Sequence, residues 1–344
     1  MIKLSKLLMI TALVAVFTVG CSKGNDGATT DAVSEPTVTV TPVATEEPEA
    51  TKAPATEEAA EPTREYPYTY VDAAGRDVVL EAEPVSVAVD YLPLWETLLM
   101  LDVTPVAATG VENYLATWDP FQGLDMGEII DIGNGAELNF ELLLEVKPDV
   151  ILHQEADPSN IDVSNFEQIA PVAVFGPKTK MDWRLSLREV AKVVGKEAKA
   201  EEVIAEFDQK IADAREKLQA QYEGQTVMQI SIMSADQYYV ANKPVLYDKE
   251  AGLGLNAPEG HTTSEGYEQV SMEAIVAMDP DYIFVNVFDG DEAMYDELTS
   301  NSVWQSLNAV KEGHVVKLDG AGHANSGIAT EYTVNKIIET LLGE

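Results

Sequence analysis

The chain has 344 residues and a mass of 37.3 kDa, with 22 basic against 59 acidic side chains and a net charge of −37. That acidity repels phosphate backbones and argues against nucleic acid as a partner, while favouring a soluble monomer. A single cysteine excludes a disulfide framework and a cysteine-rich zinc site.

Lys3 and Lys6 form a short basic start, followed by an apolar run from Leu7 to Val19 that is interrupted only by Thr11 and Thr18. The run is shorter than the ~20 residues a membrane span needs, and suits the core of a signal peptide. It ends in Thr18-Val19-Gly20-Cys21, which resembles a bacterial lipobox with Thr18 in the usual leucine position. Residues 1–21 are therefore expected to be a lipoprotein signal, with Cys21 lipidated and the chain held at the extracellular face of the cell membrane. An ordinary secretory signal with an incidental cysteine is the alternative. Lipidation is favoured because the lone cysteine sits where the apolar run stops. Residues 22–65 are dominated by Thr, Ala, Glu and Pro, lack aromatics, and place prolines at 36, 42, 48 and 54. Such a stretch cannot bury enough apolar surface to offset its chain entropy, so it reads as an extended, disordered tether.

Residues 66–344 keep a net charge of −32, so the acidity belongs to the folded part. Tyr68 to Leu80 suggests a hairpin around Ala74-Gly75. Short β-branched runs then alternate with helical patterns, which predicts α/β units with mostly parallel strands. The first group is Val85–Val89, Val106–Thr109, Asp149–Leu152 and Val172–Phe175. The second is Thr226–Met233, Tyr238–Ala241, Asp281–Val287 and His314–Leu318. Between them, Trp183–Val194 is an amphipathic helix ending at Gly195. Ala200–Tyr222 lacks Gly and Pro, and carries Val203, Ile204, Phe207, Ile211, Ala214 and Leu218 at helical spacing. At ~1.5 Å per residue that helix spans roughly 35 Å, the width of a small domain. The expected organisation is an N-terminal lobe over 66–182, a connecting helical segment over 183–223 and a C-terminal lobe over 224–344. The fold class is α/β, with two Rossmann-like lobes joined by a long helix and a ligand cleft between them.

The two lobes repeat one segment at a constant offset of 132 residues. Asn139-Phe140-Glu141 leads to Pro148-Asp149-Val150, and Ser271-Met272-Glu273 leads to Pro280-Asp281-Tyr282. Each reads as an N-cap, a short helix, a proline break and a buried strand.

In open α/β sheets ligands gather beyond the carboxyl ends of the strands. That rule nominates Tyr91, Tyr114, Trp118, His153, Gln154 and Lys178 in the first lobe, and Ser234, Phe288, His323 and Asn325 in the second. Trp183, Tyr238 and Tyr239 lie nearby. These residues are mostly aromatics and amides with little charge, suiting a bulky, partly apolar small molecule. Packing beneath loops is the plainer role for several of them. Enzyme signatures are missing: there is no Gly-x-Ser-x-Gly elbow and no P-loop, and Gly327 is misplaced for a dinucleotide fingerprint after Gly320-Ala-Gly322. His261 and Glu265 have helical metal-pair spacing, but the flanking Gly260 and Gly266 disfavour a helix. The four histidines show no ligand-like clustering, so neither a metal nor a resident cofactor is expected. Tyr238 and Tyr239 are neighbours on a strand and point to opposite faces, against joint ligation of iron.

The repeated Glu-to-Pro-Asp segments, the central helix, Asp72-Ala-Ala-Gly75-Arg76 and the run from Val303-Trp304 through Gly313-His314-Val315 together resemble the helical-backbone substrate-binding lipoproteins of ABC importers, of the iron–siderophore and cobalamin type. The resemblance covers nearly all of residues 66–344. It implies that two lobes clamp a chelate and that the hinge helix permits only small closure. It also implies that Glu141 and Glu273 dock onto arginines of the permease subunits. An acid in a helix's first turn is also favoured by the helix dipole alone, so the duplication carries the docking reading. Only five arginines occur, Arg64, Arg76, Arg184, Arg188 and Arg215, none of them in the second lobe. That shortage points away from strongly anionic catecholates and towards a near-neutral ferric hydroxamate. Cobalamin or haem is the alternative, with His153 or His323 as axial candidates for haem. A lipid-anchored surface hydrolase and an adhesion module are the readings of other classes.

Overall fold

The computed structural model describes residues 64–344, apart from 115–116, 123–127, 135–136, 235–236 and 289. The leader, Cys21 and nearly all of the tether lie outside the described residues. No helix among the described residues is long and apolar enough to cross a membrane.

The described chain opens with an antiparallel hairpin of β1 (Tyr68–Val71) and β2 (Asp77–Leu80). Its turn is built by Asp72, whose Oδ1 accepts the Ala74 and Arg76 amides at 2.9 Å while Gly75 takes φ 73°. Arg76 donates to Asp72 Oδ2 at 2.8 Å and to the Val172 carbonyl at 2.9 Å. The Asp-x-x-Gly-Arg motif is thus a clip that fastens the hairpin to the first lobe.

The first lobe runs β3 (Val87–Val89), α1 (Leu92–Met100), β4 (Ala107–Ala108), α2 (Val111–Tyr114), β5 (Ile130–Asp131), β6 (Gly133–Asn134), β7 (Glu137–Leu138), α3 (Phe140–Val146), β8 (Val150–Gln154), α4 (Ser164–Glu167), β9 (Val172–Phe175) and α5 (Pro177–Met181). Its main sheet has the order β5-β4-β3-β8-β9, with every neighbour parallel. The linking helices are α6 (Trp183–Val194) and α7 (Glu197–Gln221). The second lobe follows with β10 (Val227–Ser234), β11 (Gln237–Val240), α8 (Pro244–Tyr247), β12 (Glu268–Val270), α9 (Met272–Met278), β13 (Tyr282–Val287), α10 (Glu292–Ser300), α11 (Asn308–Glu312), β14 (Val315–Asp319) and α12 (Gly327–Leu342). Its sheet order, β12-β11-β10-β13-β14, repeats that of the first lobe. The difference is that β11 runs antiparallel to both β10 and β12.

Helices α3 and α9 match in detail. Each has seven residues, each is capped by the side chain of the preceding Asn139 or Ser271, and each ends at a left-handed residue, Lys147 or Asp279. Both lead directly into a strand that runs parallel to the central one, so their first turns, with the exposed Glu141 and Glu273, face the carboxyl edge of each sheet.

One hydrophobic cluster runs through both lobes. It joins Trp95 and Leu98 of α1, Leu187 and Val190 of α6, and Ile204, Phe207, Ile211 and Leu218 of α7 to Val334 and Ile337 of α12 and Phe284 of β13. Separate clusters fill the other face of each sheet. The buried stripe of α7 recurs every three or four residues, which keeps one face inward for the helix's whole length. A single connecting rod was expected from the sequence. Instead α12 forms a second bridge, because the Ala329 amide donates to Glu96 Oε2 of α1 at 3.4 Å and the Tyr332 hydroxyl reaches Asp119 at 3.4 Å.

Candidate ligand cleft

At the carboxyl edge of the first sheet, His153 Nδ1 pairs with Asp90, the residue that follows β3, and His153 Nε2 lies 3.7 Å from Glu155. Burial pushes this imidazole down, but the Asp90 hydrogen bond and the two carboxylate charges outweigh it and hold the ring above its ordinary range. Gln154 donates to the Phe175 carbonyl at 3.1 Å, pinning the ends of β8 and β9 together. Tyr91 begins α1 half-buried, with the Lys180 ammonium 5.7 Å from its ring centroid.

The second lobe presents a denser network. Gln229 donates to Asn286 Oδ1 at 3.1 Å, Asn286 donates to Ser231 Oγ at 2.9 Å, and Ser231 Oγ meets His323 Nδ1 at 2.9 Å. The His323 ring stacks on Tyr267 at 3.9 Å and meets Phe288 at 5.5 Å. Gly322 is required here, since a Cβ would lie 2.3 Å from Asn286 Oδ1. The Gly320-Ala-Gly322 run therefore lets the loop press against the end of β13. Lys243 is buried at 8% exposure and donates to the Gly322 carbonyl at 2.8 Å. Burial pushes its ammonium down to about 7. Burial and the neighbouring Lys243 charge push His323 down to about 4, so that ring is neutral at physiological pH.

A cavity of about 330 Å³ opens where the lobes meet. Met181, Trp183 and Arg184 line it from the junction, Lys243 and Asn325 from the second lobe, and Thr330 from α12. Volume alone does not single it out, because a depression of about 320 Å³ lies by Leu218, Tyr222 and Lys249, where no strand ends converge.

Of the residues nominated from the sequence, Trp183 and Asn325 line this cavity, and His323 and Phe288 are linked to it through Lys243 and the Gly320–Asn325 loop. Tyr91, His153 and Gln154 stand at the strand ends of the first lobe. Trp118 is as buried as Trp183 and stacks on Phe121 at 6.2 Å, and Tyr238 is buried in the second lobe's outer cluster. Lys178 lines a separate hollow with Tyr70, Pro158 and Glu189 within the first lobe. The side chains of Tyr114 and Ser234 lie outside the described residues. The sequence reading missed Asp90, Ser231, Lys243, Tyr267 and Asn286. A signal existed for Asn286, a polar residue inside the apolar run of β13. The site is also more charged than expected, since Asp182, Arg184, Lys243 and Glu265 all reach the cavity.

Comparison with known proteins agrees with this architecture. The family model described as periplasmic binding protein matches residues 87–321. The probable siderophore-binding lipoprotein YfiY of Bacillus subtilis is 29% identical over 275 residues, covering 75% of this chain and 82% of its own. The iron(3+)-hydroxamate-binding protein FhuD of the same organism is 32% identical over 225 residues, covering 61% of this chain and 68% of its own. A crystal structure of a FhuD-fold periplasmic binding protein component of a Fep/Fec-like ferrichrome ABC transporter from B. subtilis superposes with a TM-score of 0.62 at 27% identity, covering 75% of this chain and 97% of that one. With two like-ordered sheets bridged by a long helix, and with the family's pattern spanning both, the chain belongs to the periplasmic binding protein family.

Proposed function

We propose that this protein captures a ferric siderophore of the hydroxamate type in the cleft between its lobes and delivers it to the permease of an ABC importer. The observation that carries this reading is the likeness to FhuD, named for binding iron(3+)-hydroxamate, over 225 residues. The cleft's chemistry supports it. Trp183 and Asn325 line the cavity, and Phe288, His323, Tyr267 and Gln154 at the adjoining strand ends would add apolar faces and an amide for a bulky chelate. Tyr91 and His153 would meet the ligand from the first lobe. Lipid on Cys21 would hold a monomeric receptor outside the membrane, with residues 22–65 giving it reach. Exposed Glu141 and Glu273 would register against basic pockets of the permease. The protein acts by capture, with no catalytic step.

The test is titration of the purified chain, freed of residues 1–21, with ferric hydroxamates while following tryptophan emission. Trp183 at the cavity should be quenched, with saturation at a dissociation constant of about 1 µM or below. A flat response to hydroxamates alongside quenching by haem or cobalamin would replace this reading with the alternative ligands.

A further inference from the structure

We propose that Lys243 is a subsite for a carboxylate arm that the bound chelate carries outside its iron-binding groups, an inference that rests on the siderophore reading above. Four charged side chains line the cavity, and three are already committed or in water. Asp182 caps α6, accepting the Arg184 and Leu185 amides at 3.0 and 3.1 Å. Arg184 pairs with Asp208 and lies over the Trp183 ring. Glu265 stands exposed at the rim. Lys243 alone of the four is buried without a charge partner. Among the described residues its ammonium meets only the carbonyls of Gly322 at 2.8 Å and His323 at 3.4 Å, with the Tyr267 ring 5.8 Å away.

An ammonium has three donors, and two carbonyls leave one bond unmade and no anion beside the charge, which burial alone lets the group keep only in part at neutral pH. Burying a cation in this way is costly unless something supplies the opposite charge, and a lysine left so is an incomplete ion pair. The cavity is where the missing anion can enter. A hydroxamate chelate is itself near-neutral, so the charge must come from a side arm, and a carboxylate gives the short, charge-assisted bond that the geometry lacks. Arg184 cannot serve equally, because its guanidinium already has Asp208.

The mature chain is titrated with three forms of one linear ferric trihydroxamate: the parent ending in an ammonium, its acetylated neutral derivative, and its succinylated derivative ending in a carboxylate. The succinylated form should bind at least about tenfold tighter than the acetylated form, with the ammonium form weakest. Lys243→Gln should bring the succinyl-to-acetyl ratio to within about twofold, and Lys243→Arg should retain the preference. A role confined to holding the Gly322–His323 loop would leave that ratio untouched. Equal binding of the acetylated and succinylated forms by the native chain overturns this inference alone, and needs no variant to be folded. A ratio unchanged in Lys243→Gln does the same. Binding of none of the three overturns it together with the hydroxamate reading.

Discussion

Asp149 and Asp281 show the internal duplication bond by bond. Asp149 Oδ2 accepts the Ser86 amide and hydroxyl, both at 2.9 Å, just ahead of β3. Asp281 Oδ2 accepts the Thr226 amide at 2.7 Å and its hydroxyl at 2.8 Å, just ahead of β10. Each Pro-Asp therefore ties the entry of the fourth strand to the entry of the first in its own sheet. Partial burial pushes the Asp149 carboxyl up, but the Ser86 and Val85 donors outweigh it and hold it below the usual range. A depressed carboxyl contributes stability above its unfolded value near pH 4, and that contribution disappears as pH falls through the folded value. Asp149→Ala should cost about 1 kcal/mol at pH 7, modest because the group is solvent-accessible, and the difference from the native chain should shrink below about pH 4. Denaturant melts at both pH values check this, and a pH-independent difference would remove the carboxylate account. The Pro-Asp pairs were readable because local spacing defines them. Lys243 was not, since Asn242-Lys243-Pro244 looks like a solvated turn until a loop 80 residues downstream closes over it.

Helix α12 carries the least foreseeable contact. Amphipathic patterning announced Trp183–Val194 to the residue, whereas α7, expected over Ala200–Tyr222, runs Glu197–Gln221 and starts right after the left-handed Gly195 and the N-cap Lys196. Patterning reveals that a helix has an apolar face, but not which lobe receives it. Glu96 lies within the buried stretch Leu94–Leu98 of α1, and its partner, the start of α12, is 233 residues away. Burial pushes the Glu96 carboxyl up to about 7, against the pull of the Ser326 hydroxyl, which lies near but off bonding geometry, and of the Ala329 and Ile328 amides. The folded chain then keeps a proton that the unfolded chain releases near pH 4.3, so this group's contribution to stability falls as pH rises from there through about 7. Glu96→Gln should be more stable than the native chain at pH 8 by about 1–3 kcal/mol and nearly equal at pH 4. Thermal melting across that range tests it. Identical pH profiles for the two chains would place the cost of Glu96 elsewhere.

Taken entire, the molecule is two copies of one sheet order, with the first turns of α3 and α9 displayed alike. Two carboxylates held at a set separation give a two-point electrostatic match to a basic partner. Reversing both, Glu141→Lys with Glu273→Lys, should lower iron uptake by cells at least about tenfold while leaving the dissociation constant of the purified protein within about twofold. Loss of binding in solution would assign these acids to the ligand or the fold. The duplicated architecture was legible because buried strands and caps recur at a constant offset. The antiparallel β11 was not, since strand direction depends on how the chain returns, and the register shift between Ile232 and Ser234 of β10 leaves no hydrophobic signature. One apolar cluster threads α1, α6, α7 and α12. Because apolar packing crosses the junction at both bridges, swinging the jaws wide would expose surface at a cost of about 25 cal/mol per Å². A clasp sprung so stiffly would, on the capture reading proposed above, resist gaping. On that reading, the work of prising the iron complex loose would fall to the membrane machinery that receives it.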